Sequence, residues 1–194
     1  PTEGWRHTEE IDETNSKVGL TNKQIAEKIK QISPDIAGVS IPFSGWSKAA
    51  FEVASVIKGV DKNITTVLDG LHPSARPAEC LSNPNVDFVV RGEPEYSTLE
   101  LVNALEKSAT NEELEKIQGI GFTINGKPVI TAPRPEIKDL DALPFPARHL
   151  LPMETYFEAV KENPIRGVIR DHYAIMITSR GCPHKCIFCS NHIV

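Results

Sequence analysis

Between Asp35 and Glu106 the chain repeats one pattern three times: a short apolar run, a turn, then a segment with apolar residues at helical spacing. Such a run buries its strands only by laying them side by side and covering them with the intervening helices, which makes a parallel α/β sheet. "DIAGVSIP" is the first strand, followed by "SKAAFEVASVIKG", with Phe51, Ala54 and Ile57 on one face and Gly59 as a stop signal. "ITTVLDG" is the second, followed by the Pro-punctuated loop "LHPSARP" and a short helix around Ala78 to Leu81. "VDFVVRG" is the third; in "EPEYSTLELVNALEK" Ser97 and Glu100 form a capping box, and Leu99, Val102 and Leu105 form the apolar stripe.

The flanks are less regular. Thr21 and Gln24 cap a helix carrying Ile25, Ile29 and Ile32. The first fifteen residues are polar and aperiodic, and three parallel strands make a small sheet, so the chain is expected to begin inside a larger domain. "IGFTINGKPVIT" reads as a hairpin with Asn125-Gly126 in a type I′ turn, and Pro128 makes its second strand an edge. "TNEELEK" is a short helix capped by Thr110 and Glu113. Cys80 and Trp46 read as core residues; Trp5 has no assignable role. Repeated prolines from Thr131 to Ile169 exclude long helices and central strands, leaving an ordered linker. "YAIMITS" is then a new buried strand, delivering "RGCPHKC" at its C-terminal end.

Composition narrows the function. A net charge of -5 provides no basic field for a phosphate backbone, which excludes nucleic acid as a partner. Neither an apolar run of membrane-spanning length nor a secretory leader is visible, so the expectation is a cytoplasmic protein without a membrane partner. Three of the four cysteines, Cys182, Cys186 and Cys189, crowd within eight positions, which suits metal or cluster binding in a reducing compartment better than disulfides. Soft thiolates select zinc or iron-sulfur. Three thiolates on a four-iron cluster leave one iron open; alternatively His192 completes a Cys3His zinc set.

The loop "CPHKCIFC", preceded by "TSRG", resembles the signature of radical S-adenosylmethionine enzymes. The resemblance implies a [4Fe-4S] cluster on Cys182, Cys186 and Cys189, whose open iron chelates S-adenosylmethionine, with Phe188 against the adenine. Reductive cleavage of the sulfonium then yields a 5′-deoxyadenosyl radical, the electron coming from a donor such as a flavodoxin or ferredoxin. Upstream, "PDIAGVSIPFS", "LDGLHPSARPAECL", "VDFVVRGEPEYSTLELVNAL", "IQGIGFTINGK" and "IKDLDALPFPARHLLP" are similar, in that order, to the cobalamin-binding subgroup of that superfamily.

The resemblance implies three parts: a Rossmann-like cobalamin-binding domain over residues 1–131, a Pro-rich linker over 132–170, and the first strand and cluster loop of a partial (β/α) barrel over 171–194. Loops after the three parallel strands offer the cobalamin contacts: Ser40, Phe43 and Ser44; Asp69, Gly70 and His72; Arg91, Gly92, Glu93 and Glu95. His72 has a plainer reading as a loop histidine satisfied locally, and Arg91 and Glu93 as a rim pair. Asp69 stands where the subgroup has the first of two glycines, which bears on backbone room. No Asp-x-His-x-x-Gly occurs, so cobalamin is expected to bind without a lower axial histidine.

The implied function is radical modification of a small-molecule substrate, led by methyl transfer to an unactivated carbon. Cyclisation or another carbon rearrangement is the nearest alternative, and a non-catalytic small-molecule-binding module with a zinc knuckle is the alternative of another class. A complete barrel needs roughly 200 further residues, so this segment alone is expected to be inactive.

Overall fold

The computed structural model describes residues 8–10, 16–162, 172–184 and 186–189. Trp5 and His192 lie outside them. The described residues fall into two units, one drawn from Pro1–Ile25 and Asp139–Arg180, the other from Ala26–Lys138 and Gly181–Val194.

The larger unit holds a five-stranded sheet in sequential order: β3 (Ile36–Ser40), β4 (Thr65–Asp69), β5 (Phe88–Val90), β6 (Ile120–Ile124) and β7 (Lys127–Ile130). β3, β4 and β5 are parallel; β6 and β7 are antiparallel additions. The mostly parallel α/β sheet is thus the one the repeat predicts. Alternation along the strands divides the core into two layers. Leu68 and Val89 face α2 (Ser47–Val60) and α4 (Pro77–Leu81), packing with Ala50, Ala54, Cys80 and Leu81. Val67, Phe88 and Val90 face the other way, against Leu101 of α5 (Pro94–Glu106), Leu114 of α6 (Asn111–Leu114) and Phe122. A parallel strand covered on both faces reads as a continuous apolar run, and this is why "TVL" and "FVV" carry no alternation.

At the N-terminal end of the strands a polar staple holds the layers. Lys58 Nζ donates to Asp87 Oδ2 at 2.5 Å and to the Ile64 carbonyl at 2.7 Å, while the same Asp87 oxygen accepts the Thr66 N–H at 2.7 Å. Two expected caps are present. Thr21 N–H donates to Gln24 Oε1 at 2.9 Å ahead of α1 (Asn22–Ile32), and Thr110 N–H donates to Glu113 Oε2 at 2.8 Å ahead of α6. The hairpin turns on Asn125 and Gly126, both at positive φ, and β7 is the edge strand that Pro128 requires.

Several expectations are corrected. α5 begins at Pro94, not behind a Ser97/Glu100 box; proline fits the first helical position, and the earlier start turns Ser97 and Leu101 inward. Leu99 and Val102 are exposed, so the apolar stripe is rotated from the one expected, with Leu105 retained at its margin. "LHPSA" is not a loop but α3 (Leu71–Ala75), with His72, Pro73 and Ser74 buried. Trp46 is exposed, not core. α1 buries no residue although its Ile25-Ile29-Ile32 spacing is helical.

The smaller unit has a hairpin of β1 (Thr8–Glu10) and β2 (Ser16–Val18), where no strand was legible, and α7 (Met153–Glu162) inside the expected linker. α7 occupies a stretch free of interior proline, which the flanking prolines obscure. Phe157 of α7 packs on the His172 and Tyr173 rings at 4.6 and 5.8 Å. "YAIMITS" forms no strand: Ile175, Met176 and Ile177 are exposed, and no described strand pairs with them. A parallel strand exists only through its ladder neighbours, so apolar composition alone does not fold this segment.

Burial pushes the Cys80 thiol from 9.0 up to about 11, with the adjoining Glu79 carboxylate adding to the effect. Below pH 9 the thiol is protonated in both states; between about pH 9 and 11 the unfolded chain ionises first, so this contribution to stability is lost as pH rises through that window. Iodoacetamide near pH 8 is expected to alkylate exposed Cys182 and Cys186 and to reach Cys80 only on unfolding. Equal labelling rates for Cys80 and Cys182 in the native protein refute this packing.

Candidate functional site

The C-terminal ends of β3, β4 and β5 lie side by side, so the loops that leave them share one edge of the sheet. That edge carries the residues singled out for cobalamin contact, and backbone contacts fix its shape. Ile41 N–H donates to the Asp69 carbonyl at 2.8 Å, extending the β3–β4 ladder by one residue; the Ile41 carbonyl then accepts the His72 N–H at 3.2 Å. Gly70 sits inside this contact. Its φ is +103°, and a Cβ there would lie 2.7 Å from the Ile41 carbonyl oxygen. Glycine alone supplies both the conformation and the clearance. Asp69 still pairs with Ser40 as the last residue of β4, so the substitution at that position does not obstruct the turn; the close approach falls one residue later.

Beyond β3, Phe43 leads into a short 3-10 turn, Ser44–Trp46. The Phe43 and Trp46 rings meet edge to face with centroids 5.5 Å apart, and both are about 60% exposed (60% and 59%). Together the two rings present apolar area at the mouth of the parallel sheet. Ser40 and Ser44 flank them and are exposed.

His72 is 4% exposed. Its Nδ1 lies 3.0 Å from Ser44 Oγ, and its ring meets Phe51 at 6.5 Å in a T-shaped contact. Nε2 is buried, has no hydrogen-bond partner among the described residues, and lies 3.9 Å from Glu79 Oε1, beyond hydrogen-bond reach. Glu79 itself is held by Arg76 Nε at 2.9 Å. His72 thus ties the β4 turn to the β3 loop through Ser44.

The third loop is joined to the second by a residue that sequence reasoning passed over. Ser74 Oγ donates back to the Gly70 carbonyl at 2.8 Å and accepts the Gly92 N–H at 2.9 Å. The signal available was a serine four residues beyond a glycine in a short helix, where hydroxyls bond back to the preceding turn. Arg91 is half-buried, its backbone N–H donates to the Gly119 carbonyl at 2.8 Å, and its Nε is buried without a hydrogen-bond partner among the described residues. Gly92 is exposed at φ +67°. Glu93 and Glu95 are half-buried; Glu93 Oε2 accepts the Ile137 N–H at 2.6 Å, and Glu95 stands in the first turn of α5.

The cysteine loop is apart from this edge in sequence. Cys182 and Cys186 are exposed and Cys189 half-buried, and Phe188 is exposed in the turn closed by Cys189 N–H donating to the Cys186 carbonyl at 3.0 Å. Among the described residues no three His, Cys, Asp or Glu side chains are grouped to hold a metal ion. No described helix is long and apolar enough to cross a membrane. A depression of about 470 Å³ at the opposite end of the sheet is lined by Ser55, Lys58, Lys62 and Asp87, and its Lys58–Asp87 charges already neutralise each other.

A parallel sheet whose three adjacent loops form an open, glycine-cleared, aromatic-rimmed edge is a cofactor-binding α/β domain. The B12 binding domain family model matches residues 6–102, and the chain belongs to that family. It is 38% identical to an uncharacterized methyltransferase of Pyrococcus horikoshii, over 90% of this chain and 35% of the relative. It is 33% identical to the anaerobic magnesium-protoporphyrin IX monomethyl ester cyclase of Rubrivivax gelatinosus, over 88% of this chain and 29% of the relative. The chain thus spans about a third of the length of these relatives. The fold is similar to that of the radical S-adenosylmethionine methyltransferase TsrM of Kitasatospora setae, solved with cobalamin and a [4Fe-4S] cluster bound, at TM-score 0.50 and 18% identity over 61% of this chain and 22% of that one.

Gly70→Ala is expected to cost more than about 2 kcal/mol through the strained φ and the contact with Ile41, measured by urea unfolding. Wild-type stability in this variant would show that the two loops do not meet as described.

Proposed function

We propose that this chain is the cobalamin-binding, N-terminal part of a radical S-adenosylmethionine enzyme that modifies a small molecule at an unactivated carbon, methyl transfer being the leading reaction. The observation that carries the reading is the order along one chain: a B12 binding domain over residues 6–102, then Cys182-x3-Cys186-x2-Cys189. The methyltransferase relative supports methyl transfer. The cyclase relative, at 33% identity, supports radical cyclisation as the second reading. An electron donor of the flavodoxin or ferredoxin type belongs to either.

The crevice residues suit a flat cofactor rimmed with amides. Gly70 leaves the β4 turn without a side chain, and Arg91 has a buried Nε with no hydrogen-bond partner among the described residues. Phe43 and Trp46 offer apolar area beside the hydroxyls of Ser40 and Ser44. Ser40, Ser44, Asp69, Arg91 and Glu95 would meet corrin amides and the nucleotide tail, Phe43 its apolar parts, and Gly70 and Gly92 its closest approach to backbone. Cys182, Cys186 and Cys189 would hold the cluster as thiolates, a donor set suited to iron-sulfur, with Phe188 beside S-adenosylmethionine. When bound, cobalamin supplies a transferable methyl group, and the cluster with S-adenosylmethionine supplies the radical that activates the substrate carbon. The protein's own part is to fix the cofactors in place and exclude water.

Anaerobic absorbance with iron, sulfide and zinc analysis tests this on the longest expressed polypeptide carrying residues 1–194. Expected are a broad band near ~400 nm and about four irons per chain, both lost in Cys186→Ala, and hydroxocobalamin retained through gel filtration. Stoichiometric zinc without iron or sulfide would replace the radical enzyme with a binding module carrying a zinc knuckle.

A further inference from the structure

The segment after the sheet, "APRPEIK" (Ala132–Lys138), has prolines at 133 and 135. Each proline fixes φ and removes a backbone donor, which leaves this segment fewer backbone donors with which to anchor itself. Its anchors lie in α5 and in the loop after β5. Arg134 Nε donates to Ser97 Oγ at 2.9 Å, its guanidinium also pairs with Glu100, and Ser97 Oγ donates onward to the Gln118 carbonyl at 2.9 Å. Three residues later Ile137 N–H donates to Glu93 Oε2 at 2.6 Å. Gly119 is the junction: its carbonyl accepts the Arg91 N–H and its own N–H donates to the Ala132 carbonyl, each at 2.8 Å. A Cβ on Gly119, whose φ is +77°, would lie 2.7 Å from Ser97 Oγ and 3.3 Å from Arg134 Cβ. Glycine is what lets crevice loop, helix and strap converge there.

These contacts explain three features that the cofactor reading leaves aside. Ser97 is fully buried inside α5 although a hydroxyl is a poor choice for an apolar stripe; it is needed between Arg134 and Gln118. Arg134 is largely buried although it belongs to a Pro-rich stretch expected to be a surface linker. Glu93, singled out as a cofactor contact, turns its carboxylate to the strap.

We propose that residues 132–138 are a fixed strap clasped to the cofactor loop, and that Glu93 is a positioning residue coupling attachment of the strap to order in the 91–93 loop. Resting on the cobalamin reading, this assigns Glu93 an indirect effect on cofactor affinity. Attachment runs through two links, Glu93 to Ile137 and Arg91 through Gly119 to Ala132. A ligand that orders Arg91 and Gly92 tightens the strap, and releasing the strap loosens the ligand by the same factor.

Amide hydrogen exchange over 132–138, tryptic cleavage after Lys138, and hydroxocobalamin affinity are measured together on wild type, Glu93→Gln and Glu93→Ala. In Glu93→Ala the Ile137 amide is expected to exchange at least about tenfold faster, cleavage after Lys138 to accelerate, and cobalamin affinity to fall about tenfold, the size of a charge-assisted hydrogen bond. Glu93→Gln keeps an oxygen acceptor for Ile137 and is expected to retain both protection and affinity within about threefold. Unchanged Ile137 exchange in Glu93→Ala overturns the clasp. Lost affinity in Glu93→Gln with Ile137 still protected makes Glu93 a direct cofactor ligand and overturns the assignment. Wild type that binds no cobalamin removes the cofactor reading and the coupling, while the exchange data still decide whether the strap is clasped. Should Glu93→Ala fail to fold, Arg134→Met with the same readouts opens the other anchor, with accelerated exchange at 137 expected and unchanged exchange overturning the proposal.

Discussion

β4 is hydrogen-bonded along both edges and covered on both faces, and the placement of every element in the larger unit follows from that. Its residues Thr66, Val67 and Leu68 are all buried. Leu68 faces α2 and α4, and Val67 faces α5 and α6. Burying one such side chain contributes about 1.5–3 kcal/mol, and neither face can be abandoned without exposing the other's partners. With β4 so fixed, β3 and β5 take their registers from it, and the loops leaving their C-terminal ends are brought together as a consequence.

The two ends of the sheet are built differently. At the N-terminal end a charged pair is closed on itself: Lys58 and Asp87 satisfy each other and three backbone groups besides, which ties α2 to β4 and β5. At the C-terminal end the polar groups are spent on holding loops to loops, through Ile41, Gly70, Ser74 and Gly92, and the aromatic rings are left outside. The first arrangement is that of a structural end and the second that of a binding end, as expected where ligands gather beyond the carboxyl ends of parallel strands.

The sheet was legible because its strands are continuous apolar runs and its helices keep a 3.6-residue period, signals that survive whatever the loops do. The hairpin at Asn125-Gly126 was legible because its turn type demands positive φ at two successive residues. The α5 stripe was obscured because Ser97 and Glu100 imitate a capping box inside a helix whose start is set by Pro94. The tethers were invisible for another reason. His72 to Ser44 spans 28 residues and Arg134 to Ser97 spans 37, and no local pattern records a partner at that distance. The site edge could be named from the sequence, but which of its polar residues face a ligand and which are consumed in joining loops is a tertiary property.

That division bears on how this domain can serve a corrin. His72 is enclosed with Nδ1 3.0 Å from Ser44 Oγ, and the sequence carries no Asp-x-His-x-x-Gly segment. The edge carries a glycine-cleared turn, two open aromatic rings, two serines, and an arginine whose buried Nε has no hydrogen-bond partner among the described residues. In the proposed reading such a site would hold its ligand by area and by peripheral hydrogen bonds. Binding of that kind depends on the loops being held in register before the ligand arrives, because each loosened loop adds an ordering cost to association. The Ser44–His72, Gly70–Ser74–Gly92 and Arg91–Gly119–Ala132 connections meet that requirement within the larger unit.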